Sequence, residues 1–167
     1  MRAMTNRLTS RIWVQALLLV FIGGLIGAVV NALRPEHGIP WLEEWSLRVE
    51  SRTLQEGFDV VSVSQGYDAL QAGSHWFVDA RSADEYFAGT IPGALSLPLR
   101  AVDEAFPDVQ MMVLPEEPVI AFCSSAICDE ALLLALFLRE QGWTNVAVMV
   151  AGIDAWADAG HPMEGAP

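Results

Sequence analysis

From Ile12 to Leu33 the chain runs 22 residues without a charged side chain. At about 1.5 Å per residue, a helix of that length spans roughly 33 Å, enough to cross the apolar core of a bilayer. Its strongly polar members, Gln15 and Asn31, lie toward its ends, and Trp13, Trp41 and Trp45 suit anchoring at the membrane interface. Arg2, Arg7 and Arg11 precede the segment, whereas Arg34, beside Glu36, follows it alone. The excess of arginine on the first side keeps residues 1–11 cytoplasmic and exports the region after Leu33. The expectation is a single-pass inner-membrane protein with its folded part periplasmic or otherwise extracytoplasmic. A cleaved signal peptide is the competing reading, because Val30-Asn31-Ala32 is loosely like a small-residue cleavage site. A stretch of 22 uncharged residues exceeds the ~7 to 15 of a signal sequence, which favours a retained anchor. Gly23 and Gly27 form a G-x-x-x-G that lets a second helix approach, the basis for expecting a helix-mediated homodimer or a membrane-protein partner.

Charge divides the chain at the same place. Residues 1–33 carry three arginines and no acid, while residues 34–167 carry six arginines against 21 acids, a balance of −15. No lysine occurs, which excludes Schiff-base and P-loop chemistry. The acidic surface is opposed to nucleic acid, whose phosphates require basic contacts. His37, His75 and His161 are far apart in sequence, and no metal is expected.

Arg34 to Pro40 holds two prolines and a glycine and reads as a linker. Trp41, Leu42, Trp45 and Val49 recur at helical spacing, so a helix over 41–52 is expected, lying on the membrane or on the domain; residues 34–57 are thus a linker and a juxtamembrane helix. Beyond them Val60–Val63, Trp76–Ala80, Val119–Cys123 and Asn145–Val150 read as strands, the last three as apolar runs buried on both faces of a parallel sheet. Ser64–Gln71, Ser82–Ala88 and Asp129–Gln141 read as helices, the last with Asp129 as N-cap and Gly142 as its stop. The alternation is that of an α/β domain over residues 58–164.

The two cysteines bracket the loop Cys123-Ser124-Ser125-Ala126-Ile127-Cys128, between a buried strand and that last helix. Ligands bind at the carboxyl ends of parallel strands, and a helix N-terminus offers free N–H groups to an anion. A Cys123 thiolate is such an anion, and the same arrangement lowers a thiol pKa; the alternative is a small buried residue ending a strand.

The segment Phe77-Val78-Asp79-Ala80-Arg81-Ser82-Ala83-Asp84-Glu85-Tyr86, followed by Gly89-Thr90-Ile91-Pro92-Gly93-Ala94, resembles the D-x-R…E-[YF]…G-H-I-P-G-A signature of rhodanese-like domains. Cys123 after its strand, the six-residue loop, Gly142-Trp143, Ala151-Gly152-Ile153-Asp154-Ala155-Trp156 and Ala159-Gly160-His161-Pro162 are similar to the family's C-terminal half. The resemblance implies a rhodanese-like parallel sheet flanked by helices, and sulfur transfer with no metal or organic cofactor. Cys123 is then the catalytic nucleophile, holding a sulfane sulfur taken from a small donor such as thiosulfate and passing it to a thiol acceptor. The N–H groups of Ser124, Ser125, Ala126, Ile127, Cys128 and Asp129 are expected to stabilise that persulfide. By the same comparison Asp79, Arg81 and Glu85 are structural, an arginine between two carboxylates, with Trp156 in the core and Pro92 shaping a turn.

Three departures stand out. Many active rhodaneses carry a loop glycine and arginine where this chain has Ala126 and Cys128, and the histidine of G-H-I-P-G-A is Thr90. Asp129 and Glu130 occupy the helix start, where they oppose a neighbouring thiolate. A cysteine phosphatase is excluded, since C-x-x-x-x-x-R requires arginine at position 129. Cys128 admits a second chemistry, as a resolving thiol or disulfide partner of Cys123, provided the Cα atoms lie within about 7 Å. A non-catalytic binding module on the same scaffold is the third possibility.

Overall fold

The computed structural model describes the backbone of residues 2–32 and 45–165 and the side chains of 13–30 and 47–165. The linker expected at Arg34–Pro40 and the helix start expected at Trp41 lie outside the described residues. The chain forms two compact units, Met1–Glu43 and Glu44–Pro167.

In the first unit, α1 (Arg2–Ala32) starts well before the uncharged segment and carries Arg2, Arg7 and Arg11 in its opening turns. Its window Trp13–Val30 has a mean hydropathy of 2.3 and leaves its side chains unburied. By length and composition this helix is sufficient to cross a membrane.

The second unit is a five-stranded parallel sheet in the order β1-β5-β4-β2-β3. The strands are β1 (Asp59–Val60), β2 (Trp76–Asp79), β3 (Leu95–Ser96), β4 (Val119–Phe122) and β5 (Val146–Met149). Around them lie α2 (Trp45–Gln55), α3 (Val63–Ala72), α4 (Ala83–Ala88), α5 (Val102–Met112), α6 (Glu130–Glu140) and α7 (Gly152–Asp158), with a 3₁₀ turn at Leu99–Ala101. Successive strand residues point to opposite faces, so the apolar runs feed two cores. Val78, Ala121 and Val148 meet Leu134, Leu138 and Trp143 on one face, while Phe77, Ile120 and Met149 meet Ile153 and Trp156 on the other.

The central strands β2, β4 and β5 fall where the apolar runs place them. The expected strand at Val60–Val63 is shorter, because Ser62 and Gln65 form a reciprocal capping box that draws Val63 into α3. Asp129 does occupy the N-cap of α6, but its carboxylate makes no capping bond and faces Arg52 Nη1 at 3.5 Å instead. Gly142 stops α6 as expected, at φ +92°. Ile91-Pro92-Gly93-Ala94 is a turn closed by a 3.0 Å bond from the Ala94 N–H to the Ile91 carbonyl, with Gly93 at φ +73°. Proline second and glycine third suit that geometry.

Of the two placements open to the helix after the linker, the domain is the one observed. Val49 and Thr53 of α2 are buried against the sheet unit, and the Thr53 carbonyl accepts the Phe58 N–H at 3.1 Å.

Candidate active site

β4, buried along its whole length at the middle of the sheet, delivers Cys123 at its carboxyl end, directly before the loop that enters α6. The loop is clamped from the opposite side by the start of α7. The Ile153 N–H donates to the Cys123 carbonyl at 2.8 Å and the Asp154 N–H to the Ser124 carbonyl at 2.9 Å. Gly152, at φ +73°, makes this approach possible: a Cβ there would stand 2.6 Å from backbone atoms of Ser124 and Ser125. No described residue other than glycine has a positive φ, so Ala126 fits the loop without strain.

Cys123 is 1% exposed and Cys128 half-buried, both as free thiols. The Cys123 thiol points at the Cys128 carbonyl at 3.2 Å and, more distantly, at the Ser125 carbonyl at 3.8 Å. Its coupling to the neighbouring Cys128 thiol, with burial behind it, pushes the Cys123 thiol pKa up. Only the N–H groups of Ser125 and Ala131 work in the other direction. Of the loop N–H groups from Ser124 to Asp129, that of Ser125 acts on the Cys123 thiol, joined by Ala131 of α6, and the Ser125 and Cys128 carbonyls face the same sulfur.

Cys128 shows the complementary shift. Coupling to the Cys123 thiol, with the Glu130 N–H and the Ser124 hydroxyl, pulls the Cys128 thiol down to about 6 against burial and the Glu130 charge. The more exposed sulfur thus carries the thiolate and the buried one the proton. Glu130 Oε2 stands 3.8 Å from Cys128 Sγ, an acceptor for its proton and, once that has left, an opposing charge. Arg100 Nε offsets it from 3.7 Å. Glu130 also bounds a cavity of about 460 Å³ with Ser82, Glu85, Pro98 and Arg100, which neither cysteine lines.

Asp79 and Arg81 form a buried support beside the site. Arg81 Nε reaches both Asp79 oxygens at 3.0 and 3.2 Å, and Nη2 donates to Asp79 Oδ2 at 2.6 Å and to the Gly89 carbonyl at 2.7 Å. Thr90, at the expected histidine position, donates its hydroxyl to Asp79 at 2.9 Å. Glu85 acts on Arg81 by charge attraction at longer range, while its carboxylate accepts from the Ser82 N–H and hydroxyl in the capping box of α4. Trp156 is fully buried and donates its indole N–H to the Pro162 carbonyl at 2.9 Å. His161 stacks on Tyr67 at 4.2 Å between ring centres.

Gly152, Arg52 and Arg100 were not singled out by sequence reasoning. For Gly152 a signal existed, since a glycine between a buried strand and a helix marks close backbone approach. The two arginines reach α6 from α2 and from the 3₁₀ turn, contacts that no local pattern encodes.

Residues 62–159 match the model of the rhodanese-like domain family. Over 107 residues the chain is 28% identical to the thiosulfate sulfurtransferase GlpE of Actinobacillus succinogenes, covering 64% of this chain and 91% of that one. Among solved structures, the BH2092 protein of Bacillus halodurans superposes with a TM-score of 0.59 at 21% identity, covering 71% of this chain and 85% of that one. The human single-domain sulfurtransferase TSTD1 superposes with a TM-score of 0.53 at 25% identity, covering 61% and 97%. With the parallel sheet, the cysteine at the end of its central strand and the loop leading into α6, these matches establish that the chain belongs to the rhodanese-like domain family.

Proposed function

We propose that the protein is a membrane-anchored sulfurtransferase that takes a sulfane sulfur onto Cys123 and passes it to a thiol, with its folded domain on the extracytoplasmic side. The observation that carries the reading is the thiol pair. Cys123 follows the central strand with its thiol 3.2 Å from the Cys128 carbonyl, and the Cys128 sulfur lies 3.8 Å from Glu130 Oε2. As its thiolate, Cys123 attacks the outer sulfur of an organic persulfide, R–S–SH. A new S–S bond gives Cys123–S–SH, and R–S⁻ departs. The Ser125 and Ala131 N–H groups pull the Cys123 thiol pKa down and so favour negative charge on that sulfur.

The donor class follows from charge. Arg100 faces Glu85 and Glu130 in the adjoining cavity, and the region beyond residue 33 carries −15. A persulfide of low negative charge suits this surface better than dianionic thiosulfate, the donor named for the Actinobacillus relative. Topology rests on Arg2, Arg7 and Arg11 before the uncharged segment, against Arg34 just after it.

The test is intact mass of the full chain in detergent after cysteine persulfide or thiosulfate. Uptake of one sulfur, either held until reductant removes it or released as hydrosulfide, and absent from Cys123→Ser, is expected, with cysteine persulfide the faster donor. Absence of both sulfur gain and hydrosulfide release with either donor refutes sulfur transfer and leaves the binding module.

A further inference from the structure

A persulfide on Cys123 is enclosed. Its carrier is 1% exposed, its loop is held by two backbone hydrogen bonds from α7, and Ile127, at the loop's tip, projects outward at 69% exposure. An external thiol has to open this loop to reach the sulfur. Cys128 already lies against Cys123, whose thiol is 3.2 Å from the Cys128 carbonyl, and Glu130 Oε2, 3.8 Å from the Cys128 sulfur, is placed to take its proton. A nucleophile held in contact competes with dissolved ones at effective molarities of about 10⁵ M or more when well aligned.

Resting on the sulfur-transfer reading, we propose that Cys128 is the resolving thiol of the site, so that the protein discharges its persulfide as hydrosulfide and closes a Cys123–Cys128 disulfide. In this step the Cys128 sulfur attacks Sγ of Cys123–S–SH. The bond between Sγ and the outer sulfur breaks, the Sγ(123)–Sγ(128) bond forms, and the outer sulfur leaves as HS⁻. The two cysteine sulfurs are oxidised and the sulfane sulfur is reduced, so the step needs no other oxidant. The ionised Cys128 supplies the electron pair, and the hydrogen already on the outer sulfur leaves with it as HS⁻. The product disulfide is returned to two thiols by an external dithiol reductant through thiol–disulfide exchange. The reaction class that must follow this site is therefore dithiol oxidation, and the partner a protein or small molecule carrying paired thiols.

Discrimination needs Cys128→Ser, which keeps the side-chain volume and removes the second sulfur. Full-length protein in detergent, free of oxygen, receives substoichiometric cysteine persulfide, and mass and hydrosulfide are followed together. Wild type is expected to release one hydrosulfide per sulfur delivered and lose the mass of two hydrogens, with Cys123 and Cys128 joined in one peptide. Cys128→Ser is expected to retain the added sulfur on Cys123 and release none, and a dithiol restores the wild-type mass. Stable retention of the sulfur by wild type, as by Cys128→Ser, overturns the resolving role and leaves sulfur transfer standing. Absence of sulfur from Cys128→Ser and of both products from wild type overturns sulfur transfer, and this inference with it.

Discussion

Gly152→Ala tests whether the α7 clamp shapes the loop. The added methyl would lie 2.6 Å from the Ser124 carbonyl carbon and oxygen and from the Ser125 nitrogen. Carbon contacts relax at roughly 3.5 to 4.0 Å, so the loop and α7 must separate by about 1 Å. Both bonds of the clamp, Ile153 to Cys123 at 2.8 Å and Asp154 to Ser124 at 2.9 Å, lie across that gap. Left-handed backbone costs a non-glycine residue about 1–2 kcal/mol, and two weakened hydrogen bonds add about 1–3 kcal/mol. The sum of about 2–5 kcal/mol lowers Tm by roughly 8–20 °C in a domain of this size. Gly142→Ala is the control, because Gly142 has φ +92° but nothing within 4 Å of its Cβ position, so only the backbone cost of about 1–2 kcal/mol applies. Thermal melts followed by tryptophan fluorescence measure both, and alkylation of Cys128 against pH reports the loop. Equal melting temperatures for the two variants, with an unmoved alkylation profile in Gly152→Ala, would refute the clamp.

Arg81→Met leaves Asp79 buried without its cation and should cost about 3–5 kcal/mol in denaturant unfolding, whereas Thr90→Val, which removes one hydroxyl from the same carboxylate, should cost about 1.5–3 kcal/mol; equal effects would contradict the geometry in which Arg81 makes three contacts to Asp79 and Thr90 one. Iodoacetamide should alkylate Cys128 with a midpoint near pH 6, constant above it and falling as pH drops through it, because the thiolate reacts and its folded pKa is depressed. Cys123→Ala removes the neighbouring thiol and should move that midpoint up; an unchanged midpoint would show that the Glu130 N–H and Ser124 hydroxyl suffice.

The sheet's middle was legible because β2, β4 and β5 are buried on both faces, so their apolar runs have no competing explanation. Its edges were not. β3 is two residues long, too short for any period, and α5 carries Pro107 inside, held helical by Phe106 and Val109 reaching the core. α7 has seven residues and starts at a glycine with left-handed φ, a local signal for a turn that tertiary contact overrides. At Val60–Val63 a β-branched run and a capping box competed, and the cap won because Ser62 and Gln65 satisfy two N–H groups that a strand edge would leave open.

The site was legible in its members but not in its charge. Spacing alone places Cys123 at the strand end and Cys128 near the helix start, and Asp129 and Glu130 beside them argue against a thiolate. In the fold Asp129 turns to Arg52 and Glu130 to Arg100, so the acids are partly neutralised by arginines 77 and 30 residues away in sequence. The proton is then divided by the coupling of the two thiols, with burial behind it: the enclosed Cys123 keeps it beside the more exposed Cys128. Replacing the family's loop arginine with Cys128 thus removes a cation for an anionic donor and supplies instead a second sulfur. An arginine there would stabilise charge on the incoming donor, whereas a thiol stabilises charge by sharing a proton and can end the reaction by bonding to the carrier. That exchange shifts the demand from an anionic donor to a reductant able to reopen the pair.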